Sequence, residues 1–471
     1  MSARTYYITH SLDELKECCS PPHYSFEESE DAARIIYEIR KSVSKNQHLA
    51  QLLTYANMLL SSSRFTERGL FYLVESYYSL LKRDNKTQGV KHVFHYQNIT
   101  ASLLPLLDLE IGGTTPIHVN LALSREHVSA IINQLRKCTQ LLIIRNPELG
   151  TFILYLTGLA LLQVTYYTDL ANYQISTLLT SLKELGARLC EGDPFLLNQG
   201  KLKRLRKAGL SNITAAIQHL LYRAGKSQSI SRRHQMLLSN DHLDQIIDYV
   251  LDMIHPVTNT PVIDSWVLRR YYSVLAMILE THSLAGTLNQ SLNRQQIVTS
   301  IMEGLQDGFR HPMIFDNEAL KAVGRVIARL AAYPSTNPRE LLSLLNTLYN
   351  TSLSTPSDAN QPYVNGWICS TIVSLSQRSD IGSLIGTLAV DGRTLKYPKE
   401  DERGILWYVS ELVFNHPYIL VQHLRQLAIS LKNISKTFQI VGIHSLNEKL
   451  NERIRNSQCI PMINSESKLN F

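Results

Sequence analysis

The sequence predicts an all-α protein made of antiparallel helix pairs in two lobes, with a solenoid-like C-terminal part. Three observations support this fold class. Leucine occupies 72 of the 471 positions. Gly and Pro together occupy only 37 of the 471, a smaller share than the roughly 12% that they have in average proteins. Apolar residues recur with the helical period from about Glu28 onward. No alternating apolar and polar run is long enough to form a sheet.

The N-terminal part is predicted to contain an acidic, partly extended segment over 1–27 and a helical domain over 28–193. In that domain, Asn146-Pro147-Glu148 is typical of a helix start, with Asn as N-cap and Pro at the first helical position. Loops are expected at 82–89 and 112–116, where turn-forming residues cluster. Two apolar stripes mark further helices: Ile35, Ile36, Ile39 and Val43, and Ile131, Ile132, Leu135, Cys138 and Leu142.

One uncharged stretch, 149–168, is long enough to span a bilayer. It contains Gln163, several Thr and Tyr residues and two glycines, and acidic residues bound it on both sides. This composition favours a buried core helix over a transmembrane helix. The first residues of the chain lack the apolar region of a secretory signal peptide. The sequence therefore predicts an intracellular, cytoplasmic protein without a transmembrane span.

Four helix pairs are predicted from residue 264 onward. Their first helices begin at intervals of 53, 48 and 36 residues, and the mean interval lies near the ~40–47 residues of HEAT and armadillo repeats. The pairs are 264–279 with 293–305, 317–332 with 337–349, 365–375 with 380–388, and 401–414 with 417–431. In the helix over 337–349, one apolar stripe is expected to face the core: Leu341, Leu344, Leu345 and Leu348.

Residues 264–432 resemble a degenerate array of the HEAT or armadillo type, in which helix pairs stack on one another. The resemblance implies a curved stack whose concave surface binds another macromolecule. It covers roughly a third of the chain and carries over no functional residue. The sequence accordingly places a helical-hairpin domain over 264–450 and a polar tail over 451–471.

The positive charge of the chain is concentrated in one stretch. Between Pro194 and Asn240 there are nine basic residues and no acidic residue, while the rest of the chain has 38 basic and 40 acidic residues. We interpret 194–263 as a basic connector followed by an acidic-faced helix, with a solvated connector as the alternative to a binding site. An anion-binding site is predicted at Lys201, Lys203, Arg204, Arg206, Lys207, Arg223, Lys226, Arg232 and Arg233.

A row of aspartates is a second candidate site. Asp241, Asp244, Asp248 and Asp252 recur every three or four residues, and His255 lies at the end of the row. Such a row is able to hold a divalent cation or to divide acid and base roles. Apolar residues fill the opposite side of the same helix, which favours a simple solvated face. They are Leu243, Ile246, Ile247, Val250 and Ile254.

No other motif indicates catalysis. The sequence contains no G-x-G-x-x-G, H-E-x-x-H, G-x-S-x-G or C-x-x-C motif. His92 and His95 have a spacing that suits two metal ligands, but no third ligand is identifiable nearby. Cys138, Cys190 and Cys369 fit small buried hydrophobic residues better than nucleophiles. No metal and no cofactor are therefore predicted.

A basic and aromatic run occurs at Arg269-Arg270-Tyr271-Tyr272. Cations interleaved with aromatic rings are typical of single-stranded nucleic-acid binding. Because neighbouring helix residues point about 100° apart, one of these tyrosines is expected to face the core and the other a boundary.

The leading hypothesis is a non-enzymatic helical scaffold or adaptor that binds a macromolecular partner and uses its basic patch for an anionic ligand. A protein is the expected partner, with RNA or anionic phospholipid as alternatives. One competing hypothesis is an RNA-binding, nucleocapsid-like protein with RNA in the cleft between two helical lobes. The other is an unfamiliar all-α enzyme that uses the face from Asp241 to His255.

Overall fold

The structure, a computed structural model, confirms the all-α fold. Seventeen α-helices lie in the part of the chain that it describes, together with one two-stranded β pair. The described residues are 3–18, 25–40, 42–43, 46–61, 65–87, 122–167, 170–191, 200–225, 238–254, 265–285, 292–309, 315–333, 335–385, 390–391, 394–395, 403–414, 419–437 and 443–458.

The chain packs as two compact units, which divide between Asp252 and Asp264. The first unit contains nine helices in its described part. They are α1 (Ala3–Cys18), α2 (Phe26–Ile39), α3 (Asn46–Ser61), α4 (Glu67–Thr87), α5 (Arg125–Leu141), α6 (Pro147–Val164), α7 (Asn172–Cys190), α8 (Gly200–Gly225) and α9 (Asn240–Ile254).

Alternate helices of the first unit form two layers. Helices α2, α4, α6 and α8 contact one another in that order, while α3, α5 and α7 contact one another in a second layer. Helix α9 adds to the second layer, since its Asp252 pairs with Lys183 of α7 at 3.1 Å. The helix-pair arrangement that the sequence predicts for the C-terminal part therefore also builds the N-terminal part.

Helix α6 lies between α4 and α8 and also contacts α5 and α7. Every residue from Leu149 to Val164 is buried, which explains why the helix has no polar side. Among the described helices, it alone is long and apolar enough to cross a membrane, and it is packed inside the first unit. Asn146 caps its start by accepting the backbone N–H of Glu148 at 3.0 Å, as the sequence predicts.

Two N-terminal segments differ from the sequence expectations. Residues 3–18, in the segment expected to be partly extended, form helix α1. Residues 82–87 continue helix α4, so the predicted loop over 82–89 is wrong for that part. The reason is that Asp84 and Asn85 are buried and bonded to other segments. Asn85 Nδ2 donates to the backbone oxygen of Gln163 at 2.9 Å, and Asp84 accepts the N–H of Leu123 at 3.2 Å.

Helices α5 and α9 begin with the same local device. The hydroxyls of Ser124 and Ser239 accept the backbone N–H groups of His127 and His242, and each histidine Nδ1 accepts the N–H of its serine at 3.2 Å. This is a capping box with histidine in the place of the usual Glu or Gln. It requires a neutral imidazole, because a protonated Nδ1 cannot accept a hydrogen bond.

The second unit contains eight helices and the β pair in its described part. They are α10 (Ser265–Ala285), α11 (Leu292–Phe309), α12 (Asn317–Ala331), α13 (Pro338–Ser354), α14 (Gln361–Ser376), β1 (Val390–Asp391), β2 (Thr394–Leu395), α15 (Ile405–Phe414), α16 (Val421–Thr437) and α17 (Ile443–Gln458). The strands are antiparallel, with Val390 opposite Leu395.

Helices α10, α12, α14 and α16 contact one another in that order. Helices α11 and α13 contact each other. The predicted stripe of α13 is confirmed, since all four of its leucines are at most 2% exposed. The predicted helix over 380–388 is wrong for its described part, where only a single 3₁₀ turn forms at Gly382–Leu384. Instead α15 packs against α13, with the rings of Tyr349 and Trp407 5.5 Å apart.

Six arginines in the described part donate to backbone carbonyls at or just after the C-terminal end of another helix. The last carbonyls of a helix lack internal hydrogen-bond partners and carry partial negative charge. A guanidinium stabilises them both by donating hydrogen bonds and by its positive charge. We call them the helix-end arginines: Arg83, Arg188, Arg206, Arg223, Arg378 and Arg453. Part of the positive charge of the chain therefore stabilises the fold.

Candidate anion-binding face on helix α8

The residues predicted to bind anions lie on helix α8, which packs against α6 and α7. Leu202, Leu205, Leu210 and Ile213 are at most 4% exposed, and they fix the helix to the first unit. Gly209 permits close packing, since a Cβ there would lie 2.8 Å from Leu189 Cδ1 of α7. The first turns of α8 are therefore a part of the packed unit and a rigid support for the side chains on their solvent side.

Four cations occupy the solvent side of the first two turns. Arg204 is exposed, and Lys201, Lys203 and Lys207 are half-buried. We call these four residues the α8 cation face. Three of their pairs, 201/204, 204/207 and 203/207, are three or four positions apart, so the like charges repel by a few tenths of a kcal/mol per pair. They also lie at the positive end of the helix dipole, and no acidic residue lies in the first turn.

Three of the four cations of the α8 cation face have no counter-charge in the described structure. Lys201, Lys203 and Arg204 form no ion pair with any carboxylate of the described residues. No ion pair of the described residues joins these three cations to the aspartate row on α9, whose Asp252 pairs with Lys183 of α7 instead. Burial and the charges of Asp248 and Asp241 raise the pKa of Asp244, as expected for carboxylates without nearby cations.

Arg206 has a different environment from the other cations of this stretch. It is 6% exposed, and its Nη1 donates to the carbonyls of Leu189 at 2.7 Å and Glu191 at 2.6 Å, at the end of α7. Burial lowers its pKa. The sequence contains the signal for this role, because position 206 falls on the buried stripe between Leu202 and Ile213 at helical spacing.

Arg223 also acts at a helix end. Its Nη1 donates to the carbonyls of Thr165 at 2.5 Å and Tyr167 at 2.7 Å, just after α6. The structure therefore places Arg206 and Arg223 away from the α8 cation face. The other three predicted residues, Lys226, Arg232 and Arg233, lie outside the described residues.

His219 lies beside the end of α6. Its Nδ1 is 3.0 Å from Thr165 Oγ1, and its ring centroid is 4.5 Å from that of Tyr166. Since Thr165 Oγ1 already donates to Leu162 O at 2.7 Å, the imidazole Nδ1 is the donor. Burial and the charge of Arg223 lower the pKa of His219 to about 4. The imidazole is therefore neutral at pH 7.

The aspartate row has the geometry of a solvated helix face. Asp241, Asp248 and Asp252 are exposed, Asp244 is half-buried, and all five apolar residues of the opposite side are buried. Among the described residues, no three His, Cys, Asp or Glu side chains converge as metal ligands. His255, His92 and His95 lie outside the described residues.

The paired tyrosines belong to the core. Tyr271 and Tyr272 are at most 1% exposed, so the expectation that one of them lies at a boundary is wrong. The buried side of helix α10 is wide enough here to include both tyrosines, and Tyr272 packs against Phe315 with ring centroids 6.0 Å apart. Cys138 and Cys369 are buried as predicted, and burial raises the pKa of both thiols, while Cys190 is half-buried.

No protein-family model matches the chain, and no curated protein matches its sequence. Function is therefore inferred from the side chains and their surroundings.

Proposed function

We propose that the protein is a non-enzymatic helical scaffold that binds an anionic macromolecular partner through the α8 cation face. The observation that supports this proposal is the set of four clustered cations on a rigid helix, three of which have no carboxylate partner in the described structure. A bound anion relieves their mutual repulsion and meets the positive end of the helix dipole.

A protein with an acidic surface is the partner class that we propose. Residues 201 and 207 are about 9 Å apart along the helix axis at ~1.5 Å per residue. This length suits two or three carboxylates of a folded surface. It is short for a nucleic-acid footprint, which normally needs a wider basic face. The described cysteines are free thiols, which fits the intracellular location that we propose.

The test is a charge-matched pair of full-length variants. One carries Lys201→Gln, Lys203→Gln, Arg204→Gln and Lys207→Gln, and it keeps the helix-end arginines Arg206 and Arg223. The control removes four exposed cations from α16 and α17: Arg425→Gln, Lys432→Gln, Lys436→Gln and Arg455→Gln. Both variants lower the net charge equally, so net charge alone cannot account for a difference between them.

The measurement is affinity purification from native cells, followed by mass spectrometry of bound proteins and analysis of bound nucleic acid. We expect an acidic protein that is retained by the wild type and the control and lost from the α8 variant. Its binding should weaken steeply between roughly 50 and 200 mM salt. Equal retention by both variants would show that the α8 cation face is only a solvated surface.

RNA binding is the second candidate, and the absence of acidic residues over 194–240 favours it. An RNA-binding protein should co-purify with RNA and show a raised 260/280 nm absorbance ratio. The ratio should fall after the α8 substitutions and stay high in the control. A ratio typical of pure protein, in the wild type at low salt, would exclude this candidate.

A further inference from the structure

A second cationic surface lies on the solvent side of α10, α12 and α14 in the second unit. On α10, Arg270 Cζ lies 5.4 Å from the centroid of the Trp266 ring. Lys321 Nζ of α12 lies 4.6 Å from the ring centroid of Tyr363 on α14. Between them, Arg269 of α10 forms an ion pair with Glu318 of α12. We call this set the cation–aromatic face: Trp266, Arg269, Arg270, Glu318, Lys321 and Tyr363.

The three helices hold this face in a fixed arrangement. Helix α12 contacts both α10 and α14. A Cβ at Gly324 of α12 would lie 2.9 Å from Trp367 Cβ, so the glycine permits the close approach of α14. Each cation is also held against a ring or a carboxylate, which limits the rotamer freedom that a ligand would otherwise have to remove.

The face has three cations and one carboxylate. Arg270 and Lys321 form no ion pair with a carboxylate among the described residues, and the buried Arg270 Nε has no hydrogen-bond partner there. Burial and then the charge of Arg269 lower the pKa of both Arg270 and Lys321. Partly desolvated cations without counter-charges are unfavourable, and an incoming anion would stabilise them.

The neighbouring cations of α12 provide a contrast. Arg325 and Arg329 both donate to the Glu280 carboxylate of α10, with Nε to Oε1 distances of 2.8 and 2.9 Å. These two cations therefore share one counter-charge within the unit. At the cation–aromatic face, by contrast, the single carboxylate pairs with Arg269 alone, and two aromatic rings remain partly exposed, Trp266 by 36% and Tyr363 by 48%.

We propose that the cation–aromatic face docks an acidic, extended segment of a partner protein. Neighbouring helix axes are about 8–10 Å apart, so the axes of α10 and α14, which lie on either side of α12, are roughly 16–20 Å apart. An extended peptide of about six residues covers this distance at ~3.3 Å per residue. Spaced carboxylates of such a peptide reach Arg270 and Lys321, and its aliphatic groups contact the two rings.

Single-stranded nucleic acid fits this face less well. Stacked bases need accessible ring faces, whereas cations already lie over Trp266 and Tyr363, and the two rings belong to helices on either side of α12. Glu318 lies among the cations and would repel a phosphate backbone, which carries a charge at every nucleotide. A peptide avoids this repulsion, because its acidic residues need not be consecutive.

The test uses the full-length chain that already carries the four α8 substitutions, so that this face is measured separately from the α8 cation face. The probe is a fluorescein-labelled decapeptide of alternating Glu and Ala, and its Gln and Ala analogue is the peptide control. Binding is followed by fluorescence anisotropy at low salt. The variants are Arg270→Gln with Lys321→Gln, the matched pair Arg425→Gln with Lys432→Gln on α16, and Glu318→Gln.

We expect the Arg270→Gln and Lys321→Gln pair to weaken binding by about tenfold or more, and the α16 pair to change it by less than about twofold. Glu318→Gln should strengthen binding by about two- to fivefold, because it removes the only carboxylate of the face. A gain in affinity cannot result from a loss of folding.

Three outcomes would overturn the proposal. The first is the absence of glutamate-peptide binding in the α8-substituted protein. The second is an equal loss of affinity in the two cation pairs. The third is tighter binding of a ten-nucleotide oligouridylate than of the peptide, with the same dependence on Arg270 and Lys321, which would assign the face to nucleic acid. None of these outcomes depends on whether the α8 cation face binds a partner.

Discussion

Replacing Arg206 with Met separates the structural charge of α8 from its proposed binding charge. Met keeps much of the aliphatic stem and removes the guanidinium that donates to Leu189 O at 2.7 Å and Glu191 O at 2.6 Å. Hydrogen bonds from a charged donor contribute about 1.5–3 kcal/mol each. The guanidinium also loses hydration on burial, and Met does not have this cost, so the net loss of unfolding free energy should be on the order of 2–3 kcal/mol.

The three tryptophans of the chain locate this effect. Trp266, Trp367 and Trp407 all lie in the second unit, so tryptophan fluorescence follows that unit, whereas far-ultraviolet circular dichroism follows both units. In thermal unfolding, Arg206→Met should lower the transition of the first unit by roughly 4–12 °C in circular dichroism. The fluorescence transition should move less. Arg204→Met, two positions away on the exposed side, should cost no more than about 0.5 kcal/mol.

Partner binding should depend on Arg204 and not on Arg206, the reverse of what we expect for stability. Below its unfolding temperature, Arg206→Met should bind an anionic partner as tightly as the wild type, whereas Arg204→Met should bind it more weakly. Equal stability of the two variants would refute the helix-end role of Arg206. A loss of binding in folded Arg206→Met, as large as in Arg204→Met, would refute the division of the basic residues into two groups.

Further predictions concern the core and the pH dependence of stability. Leu345→Ala should cost on the order of 2–5 kcal/mol and lower the tryptophan-fluorescence transition, while the exposed Ser343→Ala should change it little. Since the pKa of His219 is about 4 in the folded chain and near 6.5 when unfolded, its neutral form stabilises the fold above pH 6.5. That contribution should be lost as the pH falls from 6.5 to 4. It amounts to about 2 kcal/mol after allowance for partial exposure, and urea unfolding of His219→Asn should lack it. Burial also lowers the pKa values of His127 and His242, so the stability that their capping boxes contribute should be lost as the pH falls below 6.5. A capping box with Gln at either position should not show this loss.

Local periodicity predicts the helices and their buried sides. The stripe of α13 and the two sides of α9 follow from a 3.6-residue repeat, because in each the apolar residues lie three or four positions apart. Where the predicted secondary structure is wrong, contacts between distant parts of the chain are the reason. Residues 82–87 look like a turn, but Asp84 and Asn85 are bonded to residues 39 and 78 positions away. No local pattern contains such partners.

The candidate sites likewise depend partly on local sequence and partly on contacts between distant segments. The sequence identifies Lys201, Lys203, Arg204, Arg206 and Lys207 as a charge cluster, because that property needs only neighbours in the chain. It does not separate the buried Arg206 from the other four. It also identifies Arg269-Arg270, but it associates them with tyrosines that prove to be buried. The exposed rings are Trp266, one helical turn earlier, and Tyr363, which belongs to another helix. A basic run therefore gives the location of the charge, and only packing shows which rings accompany it.

The net charge of +7 is a poor guide to binding for the same reason. The helix-end arginines face backbone carbonyls, which carry only partial charges. Arg188 and Arg378 also pair with nearby carboxylates, but Arg206 has no ion pair among the described residues and therefore adds a full positive charge without an acidic partner. A chain built from many short helices accumulates positive charge in this way even when it binds no anion. Evidence for a partner must therefore come from cations that have neither a carboxylate nor a helix end beside them. Lys201, Lys203, Arg204, Arg270 and Lys321 meet that condition among the described residues. The first three are also clustered on one helix, and the last two lie over aromatic rings, which is why the two proposed surfaces are placed there and not across the whole basic stretch.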